Sequence, residues 1–230
     1  MPDALVLPKE TMTSRQRVIR AMNHEPVDRV PMDLGSHYST GISAFAYRNL
    51  REHLGLSTDR IEMVDMVQCL ARVDEDILRR FHCDCMLLHQ GWPATQRWNP
   101  RGKYSFTIPS TAAMQQAADG AWDYSYGNAR LHMPAGGFFF DGGWPNLDPR
   151  SDDEQLDALA REAERIYKET DFATLYIGFG GYFSDNPDWL CRMLTDPEEI
   201  LEENERACAS DLARAKKIID RMGAYVQAIC

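Results

Sequence analysis

The sequence predicts an α/β fold of the kind common among soluble enzymes, on three observations. The chain has 230 residues, of which 44% are hydrophobic and 26% charged, an ordinary globular composition. Segments with apolar residues at helical spacing alternate with short apolar runs typical of buried strands. After a helix stop at Gly223, residues 224–230 predict one more buried strand. We therefore expect the domain to continue beyond this chain or a partner to supply the remainder, unless residues 224–230 pair as an edge strand within the fold.

Charge and cysteine content limit the functional classes. The formal net charge is −10, whereas binding to nucleic acid or to an anionic membrane surface requires a basic face. No apolar run approaches the ~18 residues of a membrane-spanning helix, and residues 1–12 predict a flexible leader without the pattern of a secretory signal. The six cysteines are scattered, which favours reduced thiols and a cytoplasmic location.

The helices and strands predicted for the first half of the chain are described in sequence order. A capping box of Thr13 and Gln16 predicts a helix that begins there and ends before Pro26. The remaining predictions are a short strand at residues 30–35, a helix at 43–54, a helix at 74–81 and a buried strand at 83–88.

Residues 92–148 have a different character. The stretch is rich in Trp, Tyr, Phe, Gly and Pro and has no helical periodicity. Residues 122–133 and 137–141 could pair as a hairpin around the turn residues 134–137. We interpret the stretch as an antiparallel excursion within a single domain over residues 13–230.

The α/β pattern returns after the excursion. Asp152 or Asp153 is predicted to cap a helix, and residues 172–178 predict a strand. A short helix is predicted after Asn186. The run Asp196-Pro197-Glu198-Glu199 then predicts the start of a helix of about 25 residues, roughly 38 Å long, that ends at Gly223.

Candidate site residues follow from the rule that ligands bind at the carboxyl ends of strands in parallel α/β folds. Asp33, His37 and His89 are the candidate catalytic residues. The candidate substrate-binding residues are Tyr38, Trp92, Gly178, Phe179, Gly180, Tyr182 and Ser184. Each also has a purely structural interpretation, since Asp33 could cap a loop and either histidine could be an ordinary hydrogen-bonded side chain.

No metal site is predicted from this chain. In His82-Cys83-Asp84-Cys85 the two thiols would share one face of a strand, and two are too few for zinc, which takes three or four protein ligands. The chain also lacks a P-loop, a nucleophile elbow, HExxH and GxGxxG.

Three segments carry a resemblance to a known family. They are Thr13-Ser14-Arg15-Gln16-Arg17-Val18 continuing through Asn23-His24-Glu25-Pro26-Val27-Asp28-Arg29-Val30-Pro31, then Tyr176-Ile177-Gly178-Phe179-Gly180-Gly181, then Met193-Leu194-Thr195-Asp196-Pro197-Glu198-Glu199-Ile200. Together they resemble the uroporphyrinogen decarboxylase superfamily, closest to the branch with cobalamin-dependent methyltransferases. The resemblance implies a (β/α)8 TIM barrel, of which this chain would be the N-terminal part.

The resemblance implies two enzymatic alternatives. A methyltransferase would use a corrinoid, carried by a corrinoid protein, and in some members zinc, whose ligands would lie outside this chain. A tetrapyrrole decarboxylase would need the arginine-rich loop that such enzymes carry after the first strand, but residues 33–40 contain no arginine, so this alternative is disfavoured. A third hypothesis is a non-catalytic subunit that binds a corrinoid or a partner. The expected partners are a small-molecule substrate and a corrinoid protein, with a homo-oligomer or a complementary subunit as further expectations.

Overall fold

The computed structural model describes residues 9–127, 129–176, 178 and 186–229. The helices in these residues are α1 (Ser14–Met22), α2 (Ala44–His53), α3 (Glu75–Arg80), α4 (Asp152–Glu169), α5 (Pro187–Thr195) and α6 (Pro197–Met222), with a 3-10 turn at Tyr38–Thr40. The strands are β1 (Ile61–Asp65), β2 (Leu70–Ala71), β3 (Thr95–Trp98), β4 (Phe106–Pro109), β5 (Ala113–Gln116), β6 (Trp122–Tyr126), β7 (Ala129–Met133), β8 (Leu175–Tyr176) and β9 (Ala228–Ile229).

The strands form three small sheets. Their orders are β2-β1-β4-β3, β5-β6-β7 and β8-β9. The pairs β1–β4 and β8–β9 are parallel, and the other pairs are antiparallel. A (β/α)8 barrel requires eight parallel strands joined in a closed ring. Within the described residues no sheet closes, so the predicted TIM barrel is wrong for this chain, whose structure is a mixed α/β arrangement.

Two of the apolar runs that were expected to form strands do not form them. Residues 30–35 form no strand, and residues 83–88 contribute one isolated parallel bridge, between Cys85 and Ala173. A few backbone hydrogen bonds still link these extended segments. Asp84 N donates to Met32 O at 2.7 Å, Ala173 N donates to Asp84 O at 2.9 Å, and Met86 N donates to Ala173 O at 2.9 Å. The segments therefore run side by side without the continuous ladders that define a sheet. Residues 83–88 are largely buried, whereas residues 30–35 are mostly exposed or half-buried, with Val30 78% exposed and Met32 50% exposed.

Local sequence signals at the helix ends are confirmed in most cases. Thr13 and Gln16 form the predicted capping box at the start of α1. The long helix α6 has Pro in its first turn and ends before Gly223 after 26 residues. The cap of α4 differs from the prediction, because Ser151 forms a capping box with Glu154 one residue before the expected aspartates. A serine hydroxyl satisfies the same free N–H groups at a helix start as a carboxylate does.

The excursion at residues 92–148 supplies antiparallel strands and much of the hydrophobic core. β6 pairs with β7, whereas the expected strand at 137–141 contacts β7 through one bridge, between His132 and Asp141. Phe45 of α2 packs edge-on against the rings of Tyr104 and Phe106, each with a centroid distance of 5.0 Å. The excursion is thereby held against the α2 side of the core rather than standing apart.

A buried ionic network ties α1 to the segment around residue 84. Arg17 is fully buried and donates to Asp28 at 2.6 Å and to Asp84, also fully buried, at 2.5 Å. Arg29 adds a second guanidinium on Asp84 at 2.6 Å and contacts Glu10 at 3.1 Å. The hydrogen bond from Arg17 holds the pKa of Asp28 well below its usual range. Three carboxylates and two guanidiniums thus form one ionic network between the N-terminal segment and the core.

None of the helices in the described ranges has both the length and the apolar character to cross a membrane. The cytoplasmic location expected from the cysteines stays a prediction.

Candidate functional site

The candidate site is a pocket of about 200 Å³ at the end of strand β1. One wall comes from the end of β1 and the turn after it, and a second from the loop that follows residue 88. Strand β6 and the loop after residue 143 complete it. The lining residues are Tyr38, Val64, Asp65, Met66, Val67, His89, Gln90, Trp92, Tyr124, Trp144, Pro145, Asn146 and Leu147.

Three predicted site residues line this pocket, namely Tyr38, His89 and Trp92. They come from two segments that are about fifty residues apart in the sequence. The predicted residues Phe179, Gly180, Tyr182 and Ser184 lie outside the described residues.

Asp33 and His37 lie in the loop that leads to Tyr38 and do not line the pocket. Asp33 accepts hydrogen bonds from Thr40 Oγ1 at 2.6 Å and from the Ser36 N–H at 3.2 Å. His37 Nδ1 accepts from the Ser39 N–H at 2.8 Å, which caps the 3-10 turn. In this structure both side chains therefore hold the turn that carries Tyr38, and their catalytic roles stay predictions.

Gly178 is exposed, and a close contact with a neighbouring side chain explains why this position is a glycine. A Cβ atom at this position would collide with the hydroxyl end of the Tyr176 ring. The close approach of that ring is sufficient reason for a glycine here.

His89 is a neutral imidazole at the inner end of the pocket. It is 3% exposed, and burial lowers its pKa to about 3, with the positive charge of Arg72 adding to the effect. Its Nδ1 accepts from the Gly91 N–H at 3.0 Å, and Arg72 Nη2 lies 3.3 Å from the same nitrogen. Because Nδ1 accepts, the ring proton is on Nε2. His89 therefore presents no charge to the pocket at neutral pH.

Asp65 places a carboxylate in the wall. It is 5% exposed, and its Oδ1 accepts from the N–H groups of Val67 at 2.7 Å and Gln68 at 2.9 Å. Its Oδ2 lies 3.4 Å from the side-chain nitrogens of Gln68 and Trp144. All these donors are neutral, and within the described part of the chain no lysine or arginine forms a hydrogen bond or ion pair with Asp65.

Four aromatic residues, Tyr38, Trp92, Tyr124 and Trp144, line the rest of the wall together with aliphatic and amide side chains. Trp92 donates to Met63 O at 2.8 Å, and its ring meets that of His89 edge-on at 5.0 Å. Tyr124 is 1% exposed, and its hydroxyl has no hydrogen-bond partner in the structure. Burial and the nearby charge of Asp65 raise the pKa values of Tyr38 and Tyr124. Trp144 stands at the mouth and is 71% exposed.

Sequence reasoning missed Asp65, Tyr124 and Trp144. The strand-end rule that selected His89 also applies to Asp65, the last residue of β1, but the mixed pattern of residues 60–81 hid that strand. Tyr124 and Trp144 belong to the excursion, whose aromatic residues gave no local indication of which ones meet a ligand.

An arginine-rich surface basin lies on the other side of His89. It shares His89 and Gln90 with the pocket and is lined in addition by Arg72, Gly91, Arg150, Ala158, Arg161, Glu162 and Arg165. Glu162 lies 2.8 Å from Arg165 and 3.8 Å from Arg72, and Asp148 lies 2.6 Å from Arg150. Much of the positive charge of this basin is therefore already neutralised.

We next ask whether the described side chains could bind a metal ion or a corrinoid. No group of three or more His, Cys, Asp or Glu residues among them could hold a metal ion. Burial raises the pKa of Cys83 to about 11 and that of Cys85 to about 12, so both thiols stay protonated at neutral pH. A pocket of about 200 Å³ is too small to enclose a corrinoid, so these residues would meet that group only where a partner protein presents it at the mouth.

Comparison with known proteins finds no matching family model, no matching curated protein and no matching solved structure. The resemblance to the uroporphyrinogen decarboxylase superfamily thus stays a prediction from the three sequence segments.

Substitution of two buried tyrosines, one with hydrogen-bond partners and one without any among the described residues, tests whether the Tyr124 hydroxyl in the site is unsatisfied. The Tyr47 hydroxyl donates to Asp74 Oδ2 at 2.7 Å and accepts from the Asp74 N–H at 2.8 Å. We expect Tyr47→Phe to lower the free energy of unfolding by about 1–2 kcal/mol, because the two hydrogen bonds between the Tyr47 hydroxyl and Asp74 are lost. Tyr124→Phe should change it by less than about 0.5 kcal/mol, because that hydroxyl has no partner. Urea unfolding measures both values, and equal losses would contradict the assignment.

Proposed function

We propose that this protein takes part in methyl transfer between a small molecule and a corrinoid carried by a partner protein, and that the pocket at the end of β1 binds the small molecule. The corrinoid supplies the cobalt that carries the methyl group. The proposal rests on the sequence resemblance together with the character of the pocket.

The observation that carries the proposal is the shared pocket of Tyr38, His89 and Trp92. Methyl transfer is a displacement, and its rate depends on holding the methyl-bearing atom in line with the attacking group while water is kept away. A small pocket with aromatic walls and a neutral histidine suits that task, since it offers an apolar surface and no competing nucleophile of high basicity.

The pocket residues would act by binding and orientation. Trp92 is held rigidly by its hydrogen bond to Met63 O and by its contact with His89, so it offers a fixed face to a ligand. Tyr38 is 40% exposed at the mouth and can close over a bound molecule from the solvent side. His89, which is neutral and held through Nδ1, contributes an uncharged wall rather than a general base.

Decarboxylation of a tetrapyrrole is the second candidate, and the arginine-rich basin is the observation in its favour. Arginine side chains recognise carboxylates through paired hydrogen bonds. The partial neutralisation of the basin by Asp148 and Glu162 weakens this candidate. The pocket itself also opposes it, because Asp65 would repel a polycarboxylate.

The deciding experiment follows cobalamin by absorbance. The full-length protein is mixed with reduced cobalamin and, in separate assays, with tetramethylammonium, anisole or dimethyl sulfide, and the reverse reaction uses methylcobalamin with a small thiol. We expect protein-dependent methylation or demethylation of cobalamin with at least one compound. Tyr38→Ala should lower that rate about ten-fold or more, through loss of orientation.

Tyr167→Ala is the matched control, since Tyr167 is also 40% exposed but packs on Arg15, away from the pocket. Its rate should equal that of the unaltered protein. Absence of any protein-dependent change, or equal losses in the two variants, would overturn the proposal. Loss of carboxyl groups from uroporphyrinogen would favour the decarboxylase, and a stable complex with a corrinoid protein without turnover would favour the non-catalytic subunit.

A further inference from the structure

We propose that the pocket at the end of β1 recognises a small methylated ammonium cation. The inference deepens the proposed function, on which it rests for the role of this cation as the methyl-bearing compound. The binding site itself is argued from the charge, the rings and the unsatisfied hydroxyl of the pocket.

The first argument is charge. Among the described residues that line the pocket, Asp65 carries a charge, no lysine or arginine is present, and His89 is neutral. A buried carboxylate without a cationic partner is costly, because neutral hydrogen bonds replace only part of its hydration. A bound cation would compensate the charge of Asp65, whereas an anion would be repelled.

The second argument is the nature of the walls. The rings of Tyr38, Trp92, Tyr124 and Trp144 all line the same small volume. The negative face of an aromatic ring attracts a cation, and several rings around one carboxylate suit an ammonium whose methyl groups prevent strong hydration. A bare ammonium or an alkali ion would lose its water without gaining equivalent hydrogen bonds.

The third argument is an unsatisfied group. The Tyr124 hydroxyl is buried and has no hydrogen-bond partner among the residues that the structure describes. A buried polar group of this kind is uncommon and costs free energy. An oxygen-bearing or N–H-bearing part of the ligand, or a water held by it, would satisfy the hydroxyl. The volume of about 200 Å³ restricts the ligand to a small one.

The test measures binding directly and needs no corrinoid. Isothermal titration calorimetry compares tetramethylammonium with tert-butanol as a neutral compound of similar shape, with pivalate as the anion, and with ammonium. We expect tetramethylammonium to bind at least ten-fold more tightly than each of the others. Equal affinity for tert-butanol or for ammonium, or no binding of tetramethylammonium at millimolar concentration, would overturn the inference.

Variants assign the binding to the proposed groups. Asp65→Asn should weaken tetramethylammonium binding about ten-fold or more, while its amide oxygen can still accept from the Val67 and Gln68 N–H groups. The matched control is Asp119→Asn, since Asp119 is an exposed aspartate outside the pocket that likewise accepts from the N–H two residues on. Unchanged affinity in Asp65→Asn would contradict the inference.

Trp144→Leu gives a second readout that does not depend on folding, because Trp144 is 71% exposed. Loss of one ring should weaken binding about two- to thirty-fold. Phe139→Leu, at an exposed position nearby in the sequence that does not line the pocket, is the control and should bind normally. Equal affinities in the two variants would count against the aromatic site.

Failure of this inference is distinguishable from failure of the proposed function. Tight binding of tetramethylammonium without protein-dependent methylation of cobalamin would support the cation site and overturn the methyltransferase. Methyl transfer from anisole or dimethyl sulfide without binding of tetramethylammonium would overturn the cation site and support the methyltransferase.

Discussion

Replacement of Arg17 by methionine is expected to lower the free energy of unfolding by about 3–5 kcal/mol, the usual range when one partner of a buried ion pair is removed. Arg17 is fully buried, and so is Asp84, its partner at 2.5 Å. Methionine fills much of the same volume, so most of the loss would come from charge rather than from packing. Arg29 would remain on Asp84 and keep the effect from being larger.

Arg20→Met is the matched control for Arg17→Met. Arg20 is on the same helix, but it is 50% exposed and lies 3.7 Å from Glu25, which is also exposed. Exposed pairs contribute about 0–1 kcal/mol. Chemical denaturation of both variants measures the difference, and a loss below about 1 kcal/mol for Arg17→Met would show that the network does not stabilise the fold.

The second large expected effect is a decrease in the free energy of unfolding at acid pH, caused by His89. Its pKa is lowered to about 3 in the folded protein, whereas an unfolded histidine titrates near pH ~6.5. Below that value the unfolded chain binds a proton that the folded protein does not. Stability is therefore lost as the pH falls from ~6.5 towards about 3, and His89 should account for about 2–3 kcal/mol of the loss by pH ~4.5.

The variant His89→Gln isolates this contribution, because glutamine does not titrate. Unfolding free energies of the variant and the unaltered protein are measured at neutral pH and at pH ~4.5. We expect the variant to lose less stability between the two. The charged groups around His89 are Arg72, Asp148 and Arg150, and all three remain in the variant.

His53→Gln serves as the control for the acid effect. His53 is exposed at the C-terminal end of α2, so its substitution should leave the pH dependence almost unchanged. The same loss of stability in all three proteins would mean that His89 is protonated without penalty in the folded state. In that case its role as a neutral wall of the pocket would also be wrong.

The predictions that succeeded depend on interactions within one turn of chain. Thr13 and Gln16 satisfy the free N–H groups at the start of α1, and Pro197 has the φ value that a first helical turn requires. Neither depends on what packs against the helix. Such ends can be predicted from the order of residues alone.

The barrel that the family resemblance implies is wrong for this chain, and the expected strands that did not form failed because a strand depends on pairing between distant segments. An apolar run such as residues 83–88 indicates burial but not the partner that satisfies its backbone. In the structure, Asp84 in the middle of that run meets Arg17 and Arg29. The run is thus buried around an ionic network, with one isolated bridge in place of a continuous strand ladder.

The candidate site divides in the same way. The sequence by itself determined that Tyr38, His89 and Trp92 follow apolar segments, and strand-end reasoning selected them. Only the tertiary structure brought in Asp65, Tyr124 and Trp144, left Asp65 without an ion-pair partner in the described ranges and lowered the pKa of His89. The physical reason is that desolvation and the field of neighbouring charges depend on which distant residues surround a group, and local order does not specify them.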